Sequence, residues 1–188
     1  MRVGGSSGLY NHARGRACAA QLLPAALGRK ATDVSTMTRD QALHILVVED
    51  NPGDVRLIEE ALKEGDSPGH HVSRASDGIE ALRLLRREGP YASCPAPDII
   101  LLDLNLPGMD GRELLKEIKG TPNLKRVPVI VLSSSKADED VLKMYELHAN
   151  AYVTKPVQVD DFINTIRSLE EFWTSIVRLP TRLENAKT

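Results

Sequence analysis

Cysteine is nearly absent from this chain: Cys18 and Cys94 are the only two among 188 residues. Two thiols cannot build the disulfide framework of a small secreted fold, so a reducing, cytoplasmic compartment is the default. No apolar run approaches the roughly 18–20 residues that cross a bilayer, which argues against an integral membrane protein. An excess of positive charge is also missing. With 24 basic and 26 acidic residues the net charge is −2, so the chain as a whole has no basic footprint for nucleic acid. A P-loop is excluded, because Gly-x-x-x-x-Gly-Lys-Ser/Thr does not occur. Hydrophobic residues at 41% and charged residues at 27% are the balance of an ordinary globular domain.

The charge is unevenly spread. Residues 1–36 hold Arg2, Arg14, Arg16, Arg29 and Lys30 against Asp33 alone, a net of +4, leaving −6 for the other 152 residues. Up to about Asp40 no helical or strand period persists. The best apolar patch there, Ala17 to Leu27, is broken by Gln21 and Pro24, unlike the continuous core of a secretory signal. Residues 1–40 therefore read as a disordered extension, or as a start placed upstream of Met37.

The remainder alternates strand and helix. Five apolar runs of β character lie at His44–Val48, His71–Ala75, Asp98–Leu102, Val127–Leu132 and Ala151–Thr154. Their starts are 27, 27, 29 and 24 residues apart, which suits a repeated unit of one short strand and a three-turn helix. The first, third and fourth runs are apolar almost throughout, as strands buried on both faces are. Between them the period becomes helical, with Val55, Ile58 and Leu62, then Ile79, Leu82 and Leu85, then Leu114 or Leu115 with Ile118. A last helix from Val159 carries Phe162, Ile163, Ile166 and Leu169. Asp77 and Asp110 stand where helix N-caps are wanted, and Gly65, Gly89 and Gly120 fall where helices should stop. The expected fold is one doubly wound (βα)5 domain.

Ligands of open parallel sheets bind at the carboxyl ends of the strands. Here those ends are Glu49-Asp50, Asp103, Ser133 and Lys155-Pro156. Three carboxylates, a hydroxyl and an ammonium thus converge on one edge. Asp103 is the most telling, since four apolar residues precede it and Leu104 follows. Clustered carboxylates repel unless something neutralises them. An all-oxygen set without His or Cys suits Mg²⁺, with Mn²⁺ as the alternative.

Four motifs in order carry a resemblance: Val47-Val48-Glu49-Asp50-Asn51, Ile100-Leu101-Leu102-Asp103-Leu104-Asn105-Leu106-Pro107-Gly108-Met109-Asp110-Gly111, Pro128-Val129-Ile130-Val131-Leu132-Ser133 and Ala151-Tyr152-Val153-Thr154-Lys155-Pro156. Over residues 43–172 the chain resembles receiver domains of two-component response regulators. It looks further like the stand-alone group that serves phytochrome-type histidine kinases, on the strength of Glu49-Asp50-Asn51-Pro52-Gly53-Asp54 and the segment from Phe172 to Pro180. The resemblance implies a flavodoxin-like sheet in the order 2-1-3-4-5 and a regulator that is not itself an enzyme. It implies Asp103 as phosphoacceptor from a sensor histidine kinase. Asp50 would hold Mg²⁺ directly, Glu49 through water, and the Asn105 carbonyl would complete the ligands together with Asp103. Lys155 would pair with phosphoryl oxygens, Ser133 would bond one after transfer, and Tyr152 would follow inward. A cis Lys155–Pro156 bond is also implied.

No output domain follows residue 172 in the sixteen residues that remain, so signalling is expected through the domain's own surface. Phe172 and Trp173 are two of the chain's three Phe and Trp residues. With Ile176 and Val177 they extend the last helix where no core is expected to receive them, and the segment 173–188 reads as a tail. A homodimer through these residues and the fourth-helix face, Val141, Leu142 and Tyr145, is the expected use. Docking of the partner kinase is the competitor, and folding of the tail onto its own domain is the bland alternative. An aspartate-nucleophile phosphatase is disfavoured because it needs an acid where Asn105 stands. A scaffold that keeps only the fold would not need the complete acidic cluster.

Overall fold

The structure, a computed structural model, describes residues 42–63 and 69–180. Five parallel strands form a single sheet: β1 His44–Val48, β2 His71–Ala75, β3 Ile99–Asp103, β4 Val129–Ser133 and β5 Ala151–Thr154. Their order is β2-β1-β3-β4-β5, the flavodoxin-like arrangement expected. Five helices alternate with them: α1 Pro52–Lys63, α2 Gly78–Arg86, α3 Gly111–Gly120, α4 Asp138–Glu146 and α5 Val159–Glu171. The reading of residues 1–40 as an extension and the stop at Gly65 fall outside the described residues.

Strand alternation divides the core in two. Ile45, Val47, Ile99, Leu101, Ile130 and Leu132 pack on Val55, Ile58 and Leu62 of α1 and on Phe162 and Ile166 of α5. The opposite parity, Leu46, Val48, Ile100, Leu102, Val129 and Val131, packs on Leu82 and Leu85 of α2, Leu114, Leu115 and Ile118 of α3, and Met144 of α4. Both faces are covered, which is why the central strands are apolar at every position between their ends. Strand order reverses between β1 and β3, and their carboxyl ends open a crevice there.

Caps and ends agree with the sequence in part. Asp77 accepts from the Glu80 N–H at 2.8 Å and Asp110 from the Arg112 N–H at 2.6 Å, so both cap as expected. Gly89 and Gly120 stand at the ends of their helices, but neither is the capping residue. Gly120 is the last residue of α3, and α2 ends on Arg87, a left-handed residue at φ 57° whose N–H bonds to the Leu84 carbonyl. Gly89 instead opens a 3₁₀ turn over Gly89–Tyr91. Strand β3 begins one residue later than expected. Asp98 is occupied in tying β1, its N–H on the His44 carbonyl at 2.7 Å and its carboxylate on the His44 N–H at 2.8 Å. Strand β4 begins at Val129, after Pro128, which has no N–H to give.

Two expectations are corrected outright. The Lys155–Pro156 bond is trans, as is every peptide bond among the described residues. The trans form of an X–Pro bond is the favoured one by about 0.5–1 kcal/mol, and in it the Lys155 N–H already bonds to the Ser133 carbonyl at 2.8 Å. The tail also finds a core. Trp173, within a single π-helical turn at Phe172–Ile176, and Leu179 beyond it pack on the α1/α5 cluster with Leu57, Val72 and Leu169. That removes Trp173 from the apolar residues left free for a partner.

Helix α3 starts hard against the strand it follows. A β-carbon on Gly111 would lie 2.3 Å from the Asp103 carbonyl oxygen and 2.7 Å from Leu104 Cα. Both are backbone atoms, so neither can swing aside. Gly111→Ala should therefore cost roughly 1–3 kcal/mol, read as a lower urea midpoint with an unchanged slope; a wild-type midpoint would contradict the packing described.

Candidate functional site

The same alternation that sorts the core sorts the site. Glu49, Asp103 and Lys155 continue the parity of β1, β3 and β5 that faces α1 and α5. Ser133 and Tyr152 continue the parity that faces α4. The carboxyl edge therefore carries a charge cluster on one side and a pair of hydroxyls on the other.

Lys155 is the centre of the cluster. Its Nζ lies 2.6 Å from Glu49 Oε2, 2.8 Å from Asp103 Oδ2 and 2.9 Å from Asp54 Oδ2. Asp103 Oδ1 accepts from the Asn105 N–H at 3.1 Å, and Glu49 Oε1 from the Asn51 N–H at 3.1 Å. The Glu49 side chain is only 2% exposed, and burial pushes its carboxyl up to about 7 against the pull of Lys155. Burial alone would lower Lys155, but hydrogen bonds to Asp103, Glu49 and Asp54 outweigh it and hold the ammonium above its ordinary range. One cation thus serves three carboxylates. Asp50, exposed at the mouth, adds a fourth, so the ionised cluster carries −3.

That surplus defines what the site can hold. Oxygens of Glu49, Asp50 and Asp103 all lie within 4.8 Å of one another. A hard ion with oxygen ligands at about 2.1–2.5 Å bridges oxygens some 4–5 Å apart, so the donor set and its spacing fit a divalent cation.

Asp54 is a site residue that spacing did not single out. It stands in the first turn of α1, where the helix dipole favours an acid, and that turn opens on the same edge as the end of β1. On the other parity, Ser133 is 1% exposed and its Oγ accepts from the Ser135 N–H at 3.2 Å. The Tyr152 hydroxyl donates to the Ser135 carbonyl at 2.9 Å. The expected dimer residues lie away from this edge. Leu142 (62% exposed) and Tyr145 (50%) stand on α4, and Phe172 (44%) and Ile176 (70%) at the end of α5; Val141 and Val177 are half-buried.

A family model, the response regulator receiver domain, matches residues 45–167. The chain belongs to that family. Response regulator Rcp1 of Synechocystis sp. is 46% identical to this receiver over 136 residues, 72% of this chain and 92% of that one. A crystal structure of Mn²⁺-bound Rcp1 superposes with a TM-score of 0.70 at 45% identity, over 73% and 99% of the two chains. The phosphorylated cyanobacterial phytochrome response regulator RcpA gives a TM-score of 0.72 at 48% identity, over 75% and 100%. The bacteriophytochrome response regulator AtBRR gives 0.57 at 41%, over 71% and 96%. The receiver is thus related to phytochrome response regulators.

Removing the one cation should expose the surplus charge. Lys155→Met leaves Glu49, Asp54 and Asp103 uncompensated, an effect on the order of 3–5 kcal/mol for a broken buried pair. The thermal midpoint should fall in EDTA and recover on adding millimolar Mg²⁺ by more than wild type gains. An equal gain in both proteins would show that Lys155 and a cation do not answer the same charge.

Proposed function

We propose that this receiver accepts a phosphoryl group on Asp103 from a phosphohistidine of a sensor histidine kinase of the phytochrome type. The observation that carries the reading is Asp103 itself, a buried carboxylate with a donor on each oxygen, set beside Glu49 and Asp50. The likeness to RcpA and AtBRR supports the partner class. Glu49, Asp50 and Asp103, with the Asn105 carbonyl, would hold Mg²⁺, or Mn²⁺ as in Rcp1, and the bound ion supplies the positive charge that an incoming phosphoryl group requires.

The chain's own residues do the rest. The Asn105 N–H fixes the Asp103 carboxylate from Oδ1 while Lys155 holds Oδ2, so the nucleophile is oriented before a donor arrives. An Asp103 oxygen attacks phosphorus as the P–N bond breaks, and the imidazole leaves as neutral histidine after taking up a proton. Lys155 then exchanges carboxylate contacts for phosphoryl oxygens. Ser133 turns its hydroxyl toward the phosphoryl group and Tyr152 follows. The protein is a phosphoacceptor that promotes its own loading and unloading rather than an enzyme with a separate substrate. We assign the exchange to the cytoplasm, the reducing compartment that a chain with two cysteines suggests. The receiver core would span 43–172, with 1–40 as an extension and 173–188 as a tail. Signalling proceeds through the domain's surface, without nucleic acid or membrane, and a homodimer through Leu142, Tyr145, Phe172 and Ile176 is the assembly we favour.

Acetyl phosphate with Mg²⁺ should add one phosphoryl group to wild type. Asp103→Asn or EDTA should abolish labelling, Lys155→Ala should impair it by tenfold or so, and Ser133→Ala should leave it largely intact. Full labelling of Asp103→Asn would remove the assignment.

The assembly has its own test. Phe172→Ser with Ile176→Ser removes apolar surface worth about 1.5–3 kcal/mol per buried side chain and leaves Trp173 on its own core. Light scattering at tens of micromolar should show a wild-type dimer and a weakened variant; a wild-type monomer with and without a phosphoryl mimic would refute it.

A further inference from the structure

Helix α4 is the most lightly anchored of the five. Met144 is its one buried residue, against four each in α1 and α3, and its N-cap, Ala137, has no side chain able to cap it. Its first turn is tied instead by a chain of polar contacts. The Ser135 hydroxyl donates to Asp140 Oδ2 at 2.6 Å and accepts from the Ala137 N–H at 3.3 Å. Asp140 Oδ1 receives Arg112 Nη2 at 2.8 Å, and Arg112 Nη1 reaches Asp110 Oδ2 at 3.2 Å. Arg112 and Asp110 belong to the start of α3, which Gly111 seats against the backbone of Asp103 and Leu104. The immobile end of this chain is therefore the phosphoacceptor loop, and the light end is α4.

Ser135 is where the chain meets the hydroxyl side of the site. Its N–H is spent on Ser133 Oγ and its carbonyl on Tyr152, while its own hydroxyl is spent on Asp140. Ser133 cannot turn toward Asp103 without releasing the Ser135 N–H, and Tyr152 cannot swing inward without releasing the Ser135 carbonyl. We propose that Arg112, Asp140 and Ser135 form a latch that holds the β4–α4 loop and the first turn of α4 in the unphosphorylated position. Rearrangement of Ser133 and Tyr152 opens it. This inference rests on the phosphoacceptor reading for its trigger, but the latch itself exists without phosphate. Arg112, Asp140 and Ser135 are positioning residues: none touches the carboxylate cluster in the structure.

The pair is partly exposed, so its weight is small. An ion pair of that kind is worth roughly two- to fivefold in an equilibrium, enough to matter only for a helix with so little buried surface. Amide hydrogen exchange on the full chain, without any phosphodonor, tests the latch directly. Asp140→Asn and Arg112→Ala should each speed exchange at Ser135, Ala137 and the first turn of α4 by about two- to fivefold, with α5 unchanged. The double variant should do no more than either alone. Labelling of Asp103 by acetyl phosphate should accelerate in both by a similar factor, because the resting arrangement is less favoured. Ser135→Ala, which keeps the backbone bonds, should give the same exchange pattern and covers the case of a poorly folding Arg112 variant. Unchanged exchange in all three overturns the latch. Faster exchange with a wild-type labelling rate overturns its coupling to Asp103. If no chain is labelled, wild type included, the phosphoacceptor reading fails, and the exchange result still decides whether the latch exists.

Discussion

One ammonium among too many carboxylates governs this edge of the molecule. Lys155 touches Glu49, Asp54 and Asp103 within 2.9 Å, and Asp50 stands beside them. In water such an imbalance would cost little, but Glu49 and Asp103 are buried, and there repulsion between like charges is poorly screened. The site is therefore held in a state that invites positive charge. It also explains why Asp103 keeps a donor on each oxygen: an anion removed from water must recover its hydrogen bonds from the protein. The apolar strands that bury these groups supply the low dielectric that gives the imbalance its force.

The sheet then divides labour by parity. Charged groups fall on the side of α1 and α5, where Val55, Ile58 and Phe162 form a closely packed layer, and hydroxyls fall on the side of α4, where Met144 is the only buried contribution from that helix. The rigid side suits groups that must be preoriented. On the other side α2 and α3 are as firmly packed, and α4 is the one lightly held helix beside the hydroxyls. Neither assignment needs a special residue, since both follow from the two-residue repeat of a strand.

Much of this was legible in the chain. Continuous apolar runs at a steady spacing required a parallel sheet covered on both faces, and the residues closing those runs, Glu49-Asp50, Asp103, Ser133 and Lys155, had to meet at its carboxyl edge. Asp54 was harder, because the acid of a first helical turn belongs to no strand and its reach depends on how α1 leaves β1. The Arg112–Asp140 contact was invisible, as its partners are 28 positions apart and stand at the starts of two separate helices. Glycine marked the ends of α2 and α3 but not their caps: at α2 the left-handed residue is Arg87, its N–H on the Leu84 and Arg83 carbonyls. The tail was misread for a related reason. Trp173 and Leu179 have an apolar layer within reach only because α5 runs beside α1, and the sequence pattern records no such neighbour.

These facts set a scale for signalling. A phosphoryl group can shift the protein only by binding one arrangement more strongly than another, and for a useful switch the arrangements must already lie within a few kcal/mol. Moving α1 would uncover Val55, Ile58 and Leu62, and moving α3 Leu114, Leu115 and Ile118, on the order of 4–5 kcal/mol or more at about 1.5 kcal/mol each. Moving α4 uncovers Met144 alone and breaks a few polar contacts of about 1 kcal/mol apiece. A change of one or two hydrogen bonds at Ser133 is commensurate with the second displacement and not with the first. On the phosphoacceptor reading proposed above, the light anchoring of α4 would let a rearrangement at the end of β4 be felt on the outer surface of this domain.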